Sequence, residues 1–156
     1  MKKLNFVLDV DGVMTTGQFL YSNKGKEYKI FGPHDADGLK LIKDKVNIAF
    51  ISADERGFEI SKKRIDDIGF NLELIREKNR YNHIKKKFSF ENTIYMGDGI
   101  FDAPLIKECK FGIAPANARL EAKKAADFVT LSKAGEGAVC DACIEIDRKF
   151  FGGKND

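Results

Sequence analysis

Short apolar runs and amphipathic stretches alternate along this chain, and the alternation predicts its fold. Phe6 to Leu8 is an apolar run suited to a strand buried on both faces. Gly17-Gln18-Phe19-Leu20-Tyr21 and Glu27-Tyr28-Lys29-Ile30-Phe31 flank the polar stretch Ser22-Asn23-Lys24-Gly25-Lys26, which is the pattern of a β-hairpin. Asp35 can cap a helix through Lys43, with Leu39, Leu41 and Ile42 as its apolar contacts. Val46 to Ile51 is the next buried strand, and it ends in Ser52-Ala53-Asp54. A second helix follows to about Ile68, where Gly69 stops it. Asn71 to Ile75 predicts a short strand, Lys78 to Phe88 a helix, and Thr93 to Met96 another apolar strand. A helix through Lys107, a strand at Phe111 to Ala114, a helix from Ala118 and a strand at Phe128 to Leu131 continue the series. Gly135-Glu136-Gly137 introduces the final helix. The expected architecture is α/β, a parallel sheet with helices on both faces and a hairpin flap over 17–31 after the first strand. One domain over 1–151 and a frayed tail over 152–156 account for the chain.

Composition narrows the partners. The formal net charge is +3, and the lysines are scattered, so nothing marks a nucleic-acid surface. The block Lys85-Lys86-Lys87 falls at the end of a predicted helix, where cations suit the dipole. No signal-peptide pattern opens the sequence and no apolar run could span a bilayer, so a cytoplasmic location is expected. Cys109, Cys140 and Cys143 are odd in number, and the Cys-x-x-Cys lies in a helical segment without a second pair. Free thiols in a reducing compartment are expected.

Candidate chemistry lies where strands end. In an open parallel sheet the ligand crevice forms at the carboxyl ends of the strands. The first strand runs into Asp9-Val10-Asp11-Gly12, and residues i and i+2 of an extended chain point to the same side. The second sheet strand ends at Ser52, and the fourth runs into Asp98 with Asp102 just beyond. A strand-terminal serine is commonly a helix cap and Gly-Asp-Gly commonly a turn, but their joint occurrence at successive strand ends exceeds turn chemistry. Converging carboxylates repel unless a cation or proton lies between them. They would make a hard oxygen site suited to Mg²⁺. A carboxylate such as Asp9 is also a competent nucleophile toward phosphorus.

Asp9-Val10-Asp11-Gly12-Val13 resembles the first motif of the haloacid dehalogenase superfamily of phosphatases. Ser52 resembles its second motif, Lys78 its motif III lysine (with Arg80 as the alternative), and Gly97-Asp98-Gly99-Ile100-Phe101-Asp102 its fourth. The resemblance implies that Asp9 is the nucleophile and Asp11 the general acid and base. It implies that Ser52 and Lys78 hold the phosphoryl oxygens. Mg²⁺ would be bound by the side chains of Asp9 and Asp98 and by the backbone carbonyl of Asp11. Asp102 would orient metal waters or Lys78. With only a short hairpin after the first motif and no insertion between Ser52 and Lys78, the chain is similar to the capless branch. That branch contains 3-deoxy-D-manno-octulosonate 8-phosphate phosphatases and phosphatases of nine-carbon sugar 9-phosphates. Asp35-Ala36-Asp37-Gly38-Leu39, Gly112-Ile113-Ala114-Pro115-Ala116-Asn117-Ala118 and Gly135-Glu136-Gly137-Ala138-Val139 match it further. A homotetramer is then expected, with a neighbour's hairpin and carboxyl-terminal segment closing the site.

The departures concern the substrate. Ser52-Ala53-Asp54 stands where relatives commonly have Thr-Gly followed by Arg or Glu, which gives Asp54 the place of a specificity residue. Cys140-Asp141 stands where Arg-Glu is usual, and Arg56 or Arg64 could replace that arginine or simply face solvent. The reading is a Mg²⁺-dependent phosphatase of an acidic sugar phosphate. The alternatives are a phosphatase of another small sugar phosphate and a non-catalytic oligomerisation module. Phosphoryl transfer without hydrolysis would want a cap to exclude water.

Overall fold

The computed structural model describes residues 2–154. Its elements are β1 (Asn5–Asp9), β2 (Thr15–Ser22), β3 (Gly25–Phe31), α1 (His34–Ile42), β4 (Asn47–Ser52), α2 (Phe58–Asp67), β5 (Leu72–Leu74) and α3 (Glu77–Lys87). They continue with β6 (Thr93–Met96), α4 (Ala103–Glu108), β7 (Phe111–Ala114), α5 (Leu120–Ala125), β8 (Phe128–Val129) and α6 (Ala138–Phe151). Of the expected tail, Gly152 to Lys154 carry no helix or strand, and 155–156 lie outside the described residues.

Six strands form one sheet in the order β5-β4-β1-β6-β7-β8, and every pairing is parallel. Alternation along β1 explains the layers. Phe6 and Leu8 point into a core shared with Leu39 and Ile42 of α1, Ile65 of α2 and Val139, Ala142 and Ile146 of α6. Val7 points the other way, to Ile84 of α3, Leu105 and Ile106 of α4 and Ala122 of α5. Helices therefore cover both faces, as the alternation predicted. The order reverses at β1, whose neighbours are β4 and β6, and the crevice at such a switch point is where ligands bind.

Two local expectations are corrected. The hairpin is longer than its aromatic runs suggest, because Ser22 pairs with Gly25 across a two-residue turn. Gly25 has φ 106°, a value glycine adopts without a Cβ clash. Asp35 does not cap α1. It lies in that helix's first turn, buried, and its Oδ1 accepts a hydrogen bond from the Cys140 amide at 3.1 Å. Asp35 thus satisfies an orphan amide at the start of α6, and the two helices pack together.

Candidate active site

β1 delivers Asp9 to the carboxyl edge of the sheet, with Phe6, Val7 and Leu8 fully buried behind it. The chain then turns back, and the Val10 carbonyl accepts from the amides of Val13, Met14 and Thr15 at 3.2, 2.8 and 3.1 Å. Gly12 sits in this turn at φ 73°. A Cβ there would fall 1.9 Å from Asp98 Oδ2, so glycine is what lets the loop after β6 approach. Asp9, Asp11, Gly12, Lys26, Ala53, Asp54, Arg80, Asp98, Phe101 and Asp102 are among the residues lining the resulting cleft of about 350 Å³.

Asp9 is nearly buried. Its Oδ1 accepts from the Val10 amide at 2.9 Å and lies 3.6 Å from Arg80 Nη2. Burial pushes its carboxyl well above the usual carboxylate range; Arg80 opposes this, and Asp102, Asp98 and Asp11 add to it. Asp102 is saturated by protein donors. Its Oδ1 accepts from Arg80 Nη1 at 2.8 Å and from the Tyr95 hydroxyl at 2.5 Å. Its Oδ2 accepts from the amides of Asp98 and Gly99 at 3.1 and 2.9 Å. Asp102 therefore shapes the loop that carries Asp98 and holds Arg80 against Asp9.

Arg80, rather than Lys78, is the cation that lies beside Asp9 and Asp102. Lys78 is exposed, whereas Arg80 is buried beside both aspartates. Burial disfavours its charge, but Asp9 and Asp102, with Tyr95, raise its pKa further above the ordinary arginine value. Its Nε has no partner among the described residues. Arg80 lies four residues before Ile84, so the two share the face of α3 that meets the sheet. Lys78 points elsewhere.

Ser52 is fully buried, with Oγ 3.4 Å from Asp11 Oδ2. Asp54 accepts ion pairs from Lys26 at 2.7 Å and Lys29 at 2.9 Å, both from β3 of the same chain. Burial works against its charge, but the two lysines outweigh it and lower Asp54 to about 2. Neither lysine stood out in the sequence, where strand alternation assigns them opposite faces. Arg56 is exposed, and among the described residues Arg64 reaches only the Gly32 carbonyl, at 3.5 Å. Neither belongs to the cleft lining. Cys140 and Cys143 are free, and burial, first, raises both thiols.

The donor set fits a hard divalent cation. One oxygen each of Asp9, Asp98 and Asp102 lies within 4.8 Å of the others. Since Asp102 is already engaged, Asp9 and Asp98 are the side chains free to hold Mg²⁺, which takes few carboxylates plus waters and phosphate oxygens. Burial, then the charges of Asp102 and Asp11, pushes Asp98 up to about 7. An unfolded aspartate titrates near 3.9, so between these values the folded chain binds the extra proton. Metal-free protein is expected to gain stability as pH falls from about 8 to about 5, and Mg²⁺ to raise the melting temperature more at the higher pH. Thermal unfolding with and without chelator measures both; an equal Mg²⁺ shift at the two pH values would remove Asp98 from the site.

Fold and site together define a hydrolase of the haloacid dehalogenase class. Residues 78–142 match the haloacid dehalogenase-like hydrolase family. The 3-deoxy-D-manno-octulosonate 8-phosphate phosphatase of Haemophilus influenzae is 33% identical over 145 residues, covering 88% of this chain and 79% of that protein. The crystal structure of the Moraxella catarrhalis enzyme of the same name, in complex with magnesium, phosphate and KDO, matches with a TM-score of 0.81. Its identity is 26%, over 94% of this chain and 86% of that one. The cobalt-bound Haemophilus influenzae enzyme matches with a TM-score of 0.78 at 29% identity, over 94% and 88% of the two chains. The chain belongs to the 3-deoxy-D-manno-octulosonate 8-phosphate phosphatase family of haloacid dehalogenase-like hydrolases, and it is a phosphoric monoester hydrolase.

Proposed function

We propose that the protein hydrolyses the phosphate monoester of an acidic eight- or nine-carbon sugar, of the 3-deoxy-D-manno-octulosonate 8-phosphate kind, through an aspartyl-phosphate on Asp9. The observation that carries this reading is the pairing of Asp9 with buried Arg80 in the cleft, with an oxygen of Asp98 within 4.8 Å of Asp9. Asp9 Oδ1 is held by the Val10 amide and faces Arg80, which leaves Oδ2 as the attacking oxygen. As the Asp9–phosphorus bond forms, the phosphorus–sugar oxygen bond breaks and Asp11 gives its proton to the departing oxygen. Water then attacks phosphorus, Asp11 takes the water's proton, and the bond to Asp9 breaks to release phosphate. Arg80 holds the phosphoryl oxygens in this scheme, in the place first given to Lys78. Ser52, buried outside the cleft lining with its Oγ donating to Asp11 Oδ2, would have to turn that hydroxyl to phosphate to join it. Mg²⁺ bound by Asp9, Asp98 and the Asp11 carbonyl would offset the repulsion between nucleophile and phosphate.

Lys26 supports an acidic substrate. It lines the cleft over the Phe19 ring, 4.2 Å from its centroid, and Asp54 engages one of its three donors. In a phosphate-release screen, acidic sugar phosphates are expected to exceed neutral hexose phosphates by about tenfold or more in kcat/KM. Equal rates on both would remove the sugar-acid part of the reading. Among the described residues no helix is long and apolar enough to cross a membrane. A cytoplasmic catalytic domain over 1–151, without nucleic-acid or membrane partners, is part of the proposal. So is the homotetramer, for which the exposed Phe19, Leu20, Tyr21, Tyr28 and Ile30 of the hairpin supply apolar surface. Sedimentation tests it.

A further inference from the structure

The hairpin puts a buried ammonium group next to the proposed acid and base. Lys29 Nζ lies 2.7 Å from Asp11 Oδ1, 2.9 Å from Asp54 Oδ2 and 2.7 Å from Ser61 Oγ. Its side chain is 1% exposed. An ammonium has three protons, and here three oxygens take them, so Lys29 has none left for a substrate. Asp11, by contrast, is about one-third exposed, and among the described residues its Oδ2 accepts only a long hydrogen bond from Ser52 Oγ, at 3.4 Å. The tie to Lys29 thus fixes which Asp11 oxygen faces inward and which is free to carry the proton.

Gly57 supplies an independent mark of the same arrangement. A Cβ at Gly57 would lie 2.4 Å from Asp54 Oδ2, 2.7 Å from Lys29 Cε and 2.8 Å from Lys26 Cδ. Its amide meanwhile donates to Asp54 Oδ1 at 3.1 Å. The backbone before α2 therefore leaves room for both lysine stems and anchors the carboxylate between them.

We infer that Lys29 is a positioning residue that holds Asp11 for proton delivery to the leaving oxygen, with Asp54 as the strut that holds Lys29 rather than a ligand of the sugar. The inference rests on the mechanism proposed above, with Asp11 as the proton donor. Its consequence depends on the leaving group. A sugar alkoxide needs the proton to depart, whereas p-nitrophenolate leaves without one.

The test compares wild type, Lys29→Met and Asp54→Asn with Mg²⁺ present, on 3-deoxy-D-manno-octulosonate 8-phosphate and on p-nitrophenyl phosphate, in single-turnover experiments that follow leaving-group release. Lys29→Met is expected to slow release of the sugar by roughly 100-fold, the scale on which a misplaced catalytic group acts. Release of p-nitrophenolate is expected to change by no more than about threefold, and KM for the sugar ester by no more than about twofold. Asp54→Asn keeps the side-chain volume and is expected to show the same split at about tenfold. Equal losses on both esters, or a raised KM with unchanged kcat, would overturn the positioning role. Wild-type protein that releases neither leaving group would instead overturn the phosphatase reading beneath it.

Discussion

Asp9→Asn is expected to lower turnover by roughly 10⁴-fold or more, because an amide cannot form the acyl phosphate. The fold is expected to survive the change, and the reason lies in the charge. Burial, aided by Asp98, Asp102 and Asp11, raises the Asp9 carboxyl well above the usual range. A carboxylate with a raised folded-state pKa destabilises the folded chain once pH exceeds its unfolded value, so its charge at neutral pH is a cost. A neutral amide removes that cost. Metal-free Asp9→Asn is therefore expected to melt at or above the wild-type temperature, while its stabilisation by Mg²⁺ shrinks. Calorimetry with and without Mg²⁺, beside a phosphate-release assay, measures both, and wild-type-like turnover would reject Asp9 as nucleophile.

Arg80→Met is expected to cost both activity and stability. It strips Asp102 of its 2.8 Å partner and leaves Asp9 without a neighbouring cation, both inside the protein. Breaking such a buried pair from one side costs about 3–5 kcal/mol, and the loss of an electrostatic clamp on phosphate about 100-fold in turnover. Arg80→Lys keeps the charge but cannot span Asp9 and Asp102 as the guanidinium does, so it is expected to fold better than the Met variant and remain impaired. Lys78→Ala, on the exposed side of α3, is expected to stay within about 0.5 kcal/mol and about twofold of wild type. Denaturant unfolding and steady-state rates separate the cases; loss of activity in Lys78→Ala alone would return Lys78 to the site.

The sheet was legible because its central strands are nearly continuous apolar runs that stop at polar residues. Thr93 to Met96 and Phe111 to Ala114 are strands over the same residues in the structure. The aspartates were legible for the same reason, since a strand's end marks the crevice. The site's cations were legible only in part, since Arg80 stood as the alternative to Lys78 while Lys26 and Lys29 went unmarked. Lys78 and Arg80 are two residues apart, about 200° around a helix of 3.6 residues per turn, so one faces solvent when the other faces the sheet. The available signal was Ile84, the aliphatic residue of α3 that shares a face with Arg80. Lys26 and Lys29 meet Asp54 across some thirty positions of sequence, through long stems that strand periodicity does not track. Asp35 looked like a local cap, and only the docking of α6 against α1 shows whose amide it serves.

That contact joins residues 105 positions apart and has a consequence for biogenesis. During synthesis β1, the hairpin and α1 emerge long before Cys140 exists, so the Asp35 carboxylate must wait in water for the helix that will bury it. Leu39 and Ile42 wait with it, since the core they enter is completed by Val139, Ala142 and Ile146. Both aspartates of the opening motif are thus made before the helix that seals this face of the sheet, since Cys140 follows Asp35 by 105 residues. A nascent chain short of α6 would leave an apolar face of α1 and the sheet uncovered, because Val139, Ala142 and Ile146 complete that core.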